Sequence, residues 1–323
     1  MKSQAPLLFR NRHINTIFGN NGPRKWVVGR RAEALNAASH PVILDCRNGV
    51  QLHGLYTQGH DAGRGLVVLL HGWEGTAWST YLQSLAVRLM GEGYSVFRLH
   101  MRDHGPTHHL NHDPFLAIRL DEILDALEQI CAQFPHDRTA LVGFSLGANM
   151  AVRVAANISE RPIRLDRVIA ASPPIDPEAA AVSIRSYQIY NRYFISKWQR
   201  SFERKIELFA DYRQHADLLK HTDILEMHDD FIPRFCEHEN AASYFRAYAL
   251  SEANIAAMDV PCHIVMVKDD PVIPIDALGL LPKRDGLSHE IVDDGGHCGF
   301  VNGYRLTSWF DDKAVAMLSR AGF

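Results

Sequence analysis

Hydrophobic positions in this chain fall into two alternating patterns. Short apolar runs recur at 66–70 (LVVLL), 140–142 (ALV), 168–171 (VIAA) and 263–267 (HIVMV). Runs of that length without polar alternation are expected of strands covered on both faces. The stretches 95–99 and 289–292 read as two more strands. Val42-Ile43-Leu44 and the stretch 50–56 flank Asn48-Gly49, a hairpin signal. Between the runs, apolar residues return every three or four positions. Leu82, Leu85, Ala86, Leu89 and Met90 form one such set, stopped by Gly91 and Gly93. Leu116, Leu120, Ile123, Leu124, Leu127 and Ile130 form another, predicted to start its helix at Asp113-Pro114. Leu306, Trp309, Phe310, Ala314, Met317 and Leu318 mark a last helix.

Strands alternating with helices at this spacing predict right-handed crossovers and a mostly parallel, doubly wound sheet. The rhythm breaks at about 174 and resumes at about 258. The expectation is one α/β domain over 1–323 with a helical cap insertion at 174–258, above the carboxyl ends of the strands where such sheets bind ligands. Residues 1–40 give no assignable pattern.

One stretch carries chemistry. Ala140-Leu141-Val142 leads into Gly143-Phe144-Ser145-Leu146-Gly147, and a helical pattern follows to about Ile158. This is G-x-S-x-G between a strand and a helix, the arrangement that lifts a serine hydroxyl clear of a sheet on a strained turn. Glycines two before and two after remove side chains that would collide with the neighbouring strand and helix. The helix start also aims free N–H groups at the place where an oxyanion would form.

A serine hydroxyl needs a base, and the base needs an orienting acid. On such a sheet the chain order is Ser, then Asp or Glu, then His. After the strand ending at Val267 come Asp269-Asp270-Pro271; after the next come Asp293-Asp294-Gly295-Gly296-His297-Cys298. His297 is the candidate base, in a loop that its Gly-Gly pair lets bend inward. Asp270 is preferred over Asp269 as the acid because Pro271 fixes the chain beside it. Asp269 then reads as a solvated or loop-capping carboxylate. Asp293 and Asp294 lie too close to His297 to come from a separate loop. The oxyanion donors are taken as the N–H of Leu146 and that of Trp73, in the loop His71-Gly72-Trp73-Glu74-Gly75.

Two other clusters have competing readings. His104, His108, His109 and His112, with Asp103 and Asp113, could be imagined around a metal, but Gly105-Pro106 argues against a helix at that start and no H-E-x-x-H is present. A structural loop on the pocket rim, pinned by Arg102 and Asp103, is preferred, and no metal or cofactor is expected. Tyr187, Tyr190, Phe194 and Trp198 share a predicted helical face, interleaved with Arg185, Arg192, Lys197, Arg200 and Arg204. They read either as core or as a cap with an apolar underside and a basic rim that meets anionic lipid.

Composition narrows this only slightly. With 34 basic and 37 acidic residues there is no electrostatic reason to expect nucleic acid. Five scattered cysteines without C-x-x-C argue against a disulfide framework and fit a reducing cytoplasm. No apolar run suits a signal peptide or a membrane span. Oligomeric state is not encoded in any visible pattern.

Together these stretches resemble the α/β-hydrolase fold, and more narrowly its YheT-like branch. The narrower likeness rests on the leader Leu8-Phe9-Arg10-Asn11-Arg12-His13-Ile14-Asn15-Thr16-Ile17, on His71-Gly72-Trp73-Glu74-Gly75, on Phe231-Ile232-Pro233 leading to Ala242-Ser243-Tyr244-Phe245, and on Asp269-Asp270-Pro271. Asn15 stands where that branch usually has Gln, and Glu239-Asn240 replace a usual Gly-Phe. The resemblance implies carboxylic-ester hydrolysis with Ser145, Asp270 and His297 as a triad, on a small ester or lipid. The alternatives are an acyltransferase on the same residues and a non-catalytic binding protein of the same fold.

Overall fold

The central strands of the sheet are apolar on both faces, whereas the edge runs at 40–45 and 287–292 are largely exposed. The computed structural model describes residues 7–320 and 322. Its strands are β1 (His40–Asp45), β2 (Gln51–Thr57), β3 (Leu66–Leu70), β4 (Ser95–His100), β5 (Thr139–Phe144), β6 (Arg167–Ala171), β7 (Cys262–Val267) and β8 (Leu287–Val292). They form one sheet in the order β1-β2-β4-β3-β5-β6-β7-β8. β1 and β2 pair antiparallel around Asn48-Gly49, β2 meets β4 antiparallel, and the remaining pairs are parallel.

Successive side chains of each central strand go to opposite faces. Val67 and Leu69 of β3 pack with α4 (Thr80–Gly91) and α11 (Trp309–Arg320), through Leu82, Leu85, Phe310 and Leu318. Leu66, Val68 and Leu70 join the other face, under α5 (Leu120–Gln133) and α6 (Leu146–Ala155). Every residue of β3 is fully buried. Each such Val or Leu contributes about 1.5–3 kcal/mol by leaving water, so the centre of the sheet is a stiff platform for the loops at its carboxyl edge.

Three helices precede β1: α1 (Arg12–Asn20), α2 (Gly22–Arg31) and α3 (Glu33–Ala37). Asn11 caps α1 by accepting from the N–H groups of His13 and Ile14, and Pro23 sits in the first turn of α2. Between β6 and β7 the chain is helical: α7 (Pro177–Ser186), α8 (Gln188–Leu208), a 3-10 stretch at Ala210–Lys220, α9 (Ile224–Phe235) and α10 (Ala241–Tyr248). Among the described residues no helix is long and apolar enough to cross a membrane.

One expected helix starts late. α5 begins at Leu120, not at Pro114. The backbone of the intervening turn is taken up by side chains from elsewhere. Phe115 N–H donates to Asp103, Ala117 N–H donates to the Tyr244 hydroxyl, and the Ala117 carbonyl accepts from Arg153. Groups already satisfied in this way gain nothing by entering a helical ladder. Tyr187 likewise lies just outside α8, at its N-cap.

Candidate active site

Ser145 sits at the corner between β5 and α6 with φ 53° and ψ −122°. That conformation is costly for a residue with a side chain and persists only where the surroundings impose it. Here they do. A Cβ on Gly143 would lie 2.2 Å from the Gly147 carbonyl oxygen, and one on Gly147 would lie 2.3 Å from the His71 carbonyl oxygen. The Ser145 N–H is held by the Ala171 carbonyl of β6 at 2.9 Å.

The three predicted side chains meet. His297 Nε2 is 2.9 Å from Ser145 Oγ, and His297 Nδ1 is 2.9 Å from Asp270 Oδ2. With Nδ1–H donating to the carboxylate, Nε2 is left as the acceptor for the serine hydroxyl. Asp270 Oδ1 accepts from the N–H groups of Val272 (2.8 Å) and Ile273 (2.9 Å), which turns Oδ2 toward the imidazole. Burial works against a charged imidazole at His297. The Asp270 carboxylate, aided by Cys298, outweighs it and carries the pKa well above the ordinary value. Asp269 instead accepts from Gly295 and Gly296 N–H at 3.1 Å each, capping the loop that carries His297. Asp293 is exposed and Asp294 only half-buried, and neither is bonded to the histidine.

The candidate oxyanion donors flank the serine. Leu146 N–H opens α6, and among the described residues the Trp73 N–H has no hydrogen-bond partner. Gly72 brings that loop so close that a Cβ there would stand 3.1 Å from Ser145 Cβ. The Trp73 indole stacks on Phe194 of α8, with centroids 5.5 Å apart.

The histidine-rich segment props this loop. Ala77 N–H donates to His100 Nε2 (2.9 Å) and Glu74 N–H donates to His104 Nε2 (3.0 Å). His71 Nε2 takes the Met101 N–H at 3.2 Å. Each ring therefore carries its proton on Nδ1, and that proton is given to the Gly72 carbonyl by His71, to His53 by His100 and to the Arg102 carbonyl by His104. Burial pushes His100 down to about 3 and His104 down to about 4, and His71 lies well below its usual value, with neighbouring rings adding to the burial for His71 and His100. Further along, Lys205 of α8 meets Asp103 at 2.9 Å, both buried, and Arg102 forks onto Glu122. Among the described residues, no three His, Cys, Asp or Glu side chains converge as metal ligands do.

Residues of the leader, unassigned in the sequence, hold the other side. Thr16 Oγ1 accepts the His297 N–H at 2.9 Å while donating to the Arg12 carbonyl at 2.7 Å, and Asn20 Nδ2 reaches the His297 carbonyl at 3.2 Å. Arg24, 1% exposed, donates to the Gly299 carbonyl at 2.7 Å and to that of Leu306 at 3.1 Å. α1 presses so closely that a Cβ on Gly299 would lie 2.2 Å from the Asn15 carbonyl oxygen. Gly296 has φ +56°, and its Cβ would strike Arg12 and Thr16. Gly296 is thus needed for the approach of α1 as well as for the bend. The leader also reaches the insertion, since His13 Nδ1 is 2.9 Å from the Tyr190 hydroxyl and Arg12 donates to the Tyr187 hydroxyl at 3.0 Å. The only sequence signal for this role was the polar leader motif itself.

Two cavities open on Ser145. One, of about 110 Å³, runs under the insertion between Leu146, Pro174, Trp198, Phe202, Phe231 and Tyr248. The other, of about 350 Å³, lies on the histidine side, between His297, Cys298, Thr16, Asn20 and Tyr193.

A serine, imidazole and carboxylate in this order above a parallel sheet mark an α/β fold with a hydrolase-like site. The chain belongs to the alpha/beta hydrolase family, whose model matches residues 67–306. It is 26% identical over 259 residues to the Escherichia coli (strain K12) protein named "Putative esterase YheT", covering 76% of this chain and 74% of that one. It is 22% identical over 280 residues to the monoacylglycerol lipase of Saccharomyces cerevisiae, covering 80% of this chain but only 60% of that one. Among solved structures, an esterase of Pyrococcus furiosus, Pf2001, superposes with a TM-score of 0.57 at 15% identity, over 90% of this chain and 95% of that chain. That likeness is one of fold.

Proposed function

We propose that this protein hydrolyses carboxylic esters through an acyl-enzyme on Ser145. The observation that carries the reading is the 2.9 Å approach of His297 Nε2 to a serine Oγ held on a strained corner between two unengaged N–H groups. Ser145 Oγ attacks the acyl carbonyl and His297 takes its proton. Asp270 keeps the imidazole in the tautomer that can do so and stabilises the imidazolium that forms. Leu146 and Trp73 N–H groups bind the oxyanion; loss of one such donor typically costs ~10²–10³ in turnover. His297 then gives its proton to the leaving alcohol, and water, activated by the same ring, releases the acid. The relatives named as esterase and lipase support this class of substrate.

The proton goes to the leaving oxygen from His297, so the alcohol half belongs on the histidine side. The acyl half then enters the aromatic-walled cavity under the insertion, which acts as its cap. A cavity of about 150 Å³ holds a benzene ring, so one of about 110 Å³ suits an acyl chain of about four carbons beyond the carbonyl. A panel of p-nitrophenyl esters tests this, with activity expected to peak near butyrate to hexanoate and to vanish in Ser145→Ala. Trp198→Ala, which enlarges this cavity, should move the optimum to longer chains. Activity that survives in Ser145→Ala would overturn the reading.

A further inference from the structure

The cavity on the histidine side carries charge that the triad does not use. Lys25 of α2 and Lys197 of α8 both line it, together with Ser145 and His297. The two come from helices far apart in sequence and meet at this one cavity; burial lowers the pKa of Lys197, Glu74 opposes that, and Arg200 and Lys25 add to it. Among the described residues neither has an ion-pair partner, whereas Lys205, a little over two turns further along α8, is paired with Asp103. Two like charges brought together at the mouth of a cavity repel each other, and an anion bound between them relieves that cost. The acidic side chain that shares the cavity, Glu74, makes no ion pair with either lysine among the described residues. Burial raises its carboxyl to about 8, against the opposing pull of Lys197, Arg200 and Arg204, which weakens it as a counter-ion to the lysines. Asn20 and Thr80 add uncharged polar groups to the same wall. By contrast, the acyl cavity is lined by Trp198, Phe202, Phe231 and Tyr248.

We propose that the alcohol half of the substrate sits in this cavity and carries a negatively charged group, a phosphate monoester or a carboxylate, that Lys25 and Lys197 contact together. This rests on the reading of Ser145 as nucleophile and His297 as proton donor to the leaving group, since that reading is what places the alcohol here. The lysines reach the end of the alcohol remote from the scissile bond. Their effect is therefore on substrate capture, seen chiefly in KM.

The test compares butyryl esters that differ only in the alcohol: glycerol, glycerol 3-phosphate and glycolate. The wild-type chain is expected to favour the phosphate or the glycolate ester over the glycerol ester by about tenfold or more in kcat/KM, with the difference screened by about 0.5 M salt. The phosphate and glycolate arms tell which anion is preferred. In the double variant K25Q/K197Q the ratio of anionic to neutral ester should fall to near one, and K25R/K197R should restore most of it. Because the readout is a ratio within each protein, a general loss of activity in a variant does not imitate the result. A wild-type ratio at or below one, or a ratio that survives K25Q/K197Q, overturns the proposal while leaving ester hydrolysis intact. Turnover that persists in Ser145→Ala, or a wild-type chain that cleaves none of the three esters nor a p-nitrophenyl ester, overturns the underlying reading as well.

Discussion

Two loops bring the working groups to Ser145, and they are held in different ways. The loop 71–77, which carries Trp73, hangs from buried histidines: His104 accepts the Glu74 N–H and His100 accepts the Ala77 N–H. The loop 295–300, which carries His297, hangs from helices before the sheet through Thr16, Asn20 and Arg24. The first set of supports is neutral only while the imidazoles stay unprotonated. In the second, the hydroxyl and the amide do not titrate and the guanidinium stays charged. The donor side should therefore fail in acid, and the base side should fail when the leader is disturbed. Both loops store backbone strain, Glu74 at φ 55° in one and Cys298 and Phe300 at φ 54° and 51° in the other, so both need those supports.

The comparison can be broken from the centre outward. Ser145→Ala or His297→Ala removes what both loops serve, and the expected loss is ~10⁶ in kcat, read with p-nitrophenyl butyrate. Asp270→Asn should cost ~10⁴ by fixing the wrong tautomer. On the base side, Thr16→Val takes the acceptor from the His297 N–H. It should lower kcat by ~10²-fold with KM nearly unchanged, because small misplacement of a reacting group is that costly. Thr16→Ser should recover most of it. On the donor side, His104→Leu leaves the Glu74 N–H unsatisfied, at about 1–3 kcal/mol, and lets the Trp73 N–H drift; a loss of about tenfold in kcat is expected. His104→Gln, whose side-chain oxygen can replace Nε2, should be milder.

A separate effect falls on stability, not turnover, and appears in acid. His71, His100 and His104 all have folded pKa values below 6.5. The unfolded chain then binds more protons than the folded one below about pH 6.5. The stability these rings confer is present above that pH and is lost as it falls toward 4, by about 1.4 kcal/mol per pH unit for each ring. Urea midpoints between pH 7.5 and 5 should show that slope, reduced in His104→Gln. The acid limb of kcat/KM should separately lie above pH 6.5, because Asp270 raises the pKa of His297, which must be neutral to act as base.

Much of the sheet was legible because its central strands are buried on both sides, and β3, β5 and β6 show as apolar runs for that reason. The nucleophile corner was legible because its glycines are sterically required. The leader was not. Thr16 and Asn20 act on a residue more than 270 positions away, and beyond the polar leader motif nothing in their own neighbourhood announces the contact. Arg24 lies in the stretch that gives no assignable pattern, and it is buried because backbone carbonyls satisfy it. The histidine segment was placed at the pocket rim and pinned by Arg102 and Asp103, but its service to the Trp73 loop depends on tautomers that only the assembled structure defines. The late start of α5 has the same origin: backbone groups from Phe115 to Ala117 are claimed by distant side chains.

The most direct test of the central claim, an acyl-enzyme on Ser145 made by His297, is mass analysis of the protein quenched during turnover of p-nitrophenyl butyrate. One butyryl group should be found on the peptide bearing Ser145, and none in His297→Ala under the same conditions. Turnover without any acylated Ser145 peptide, or acylation of another residue at the rate of turnover, would contradict it.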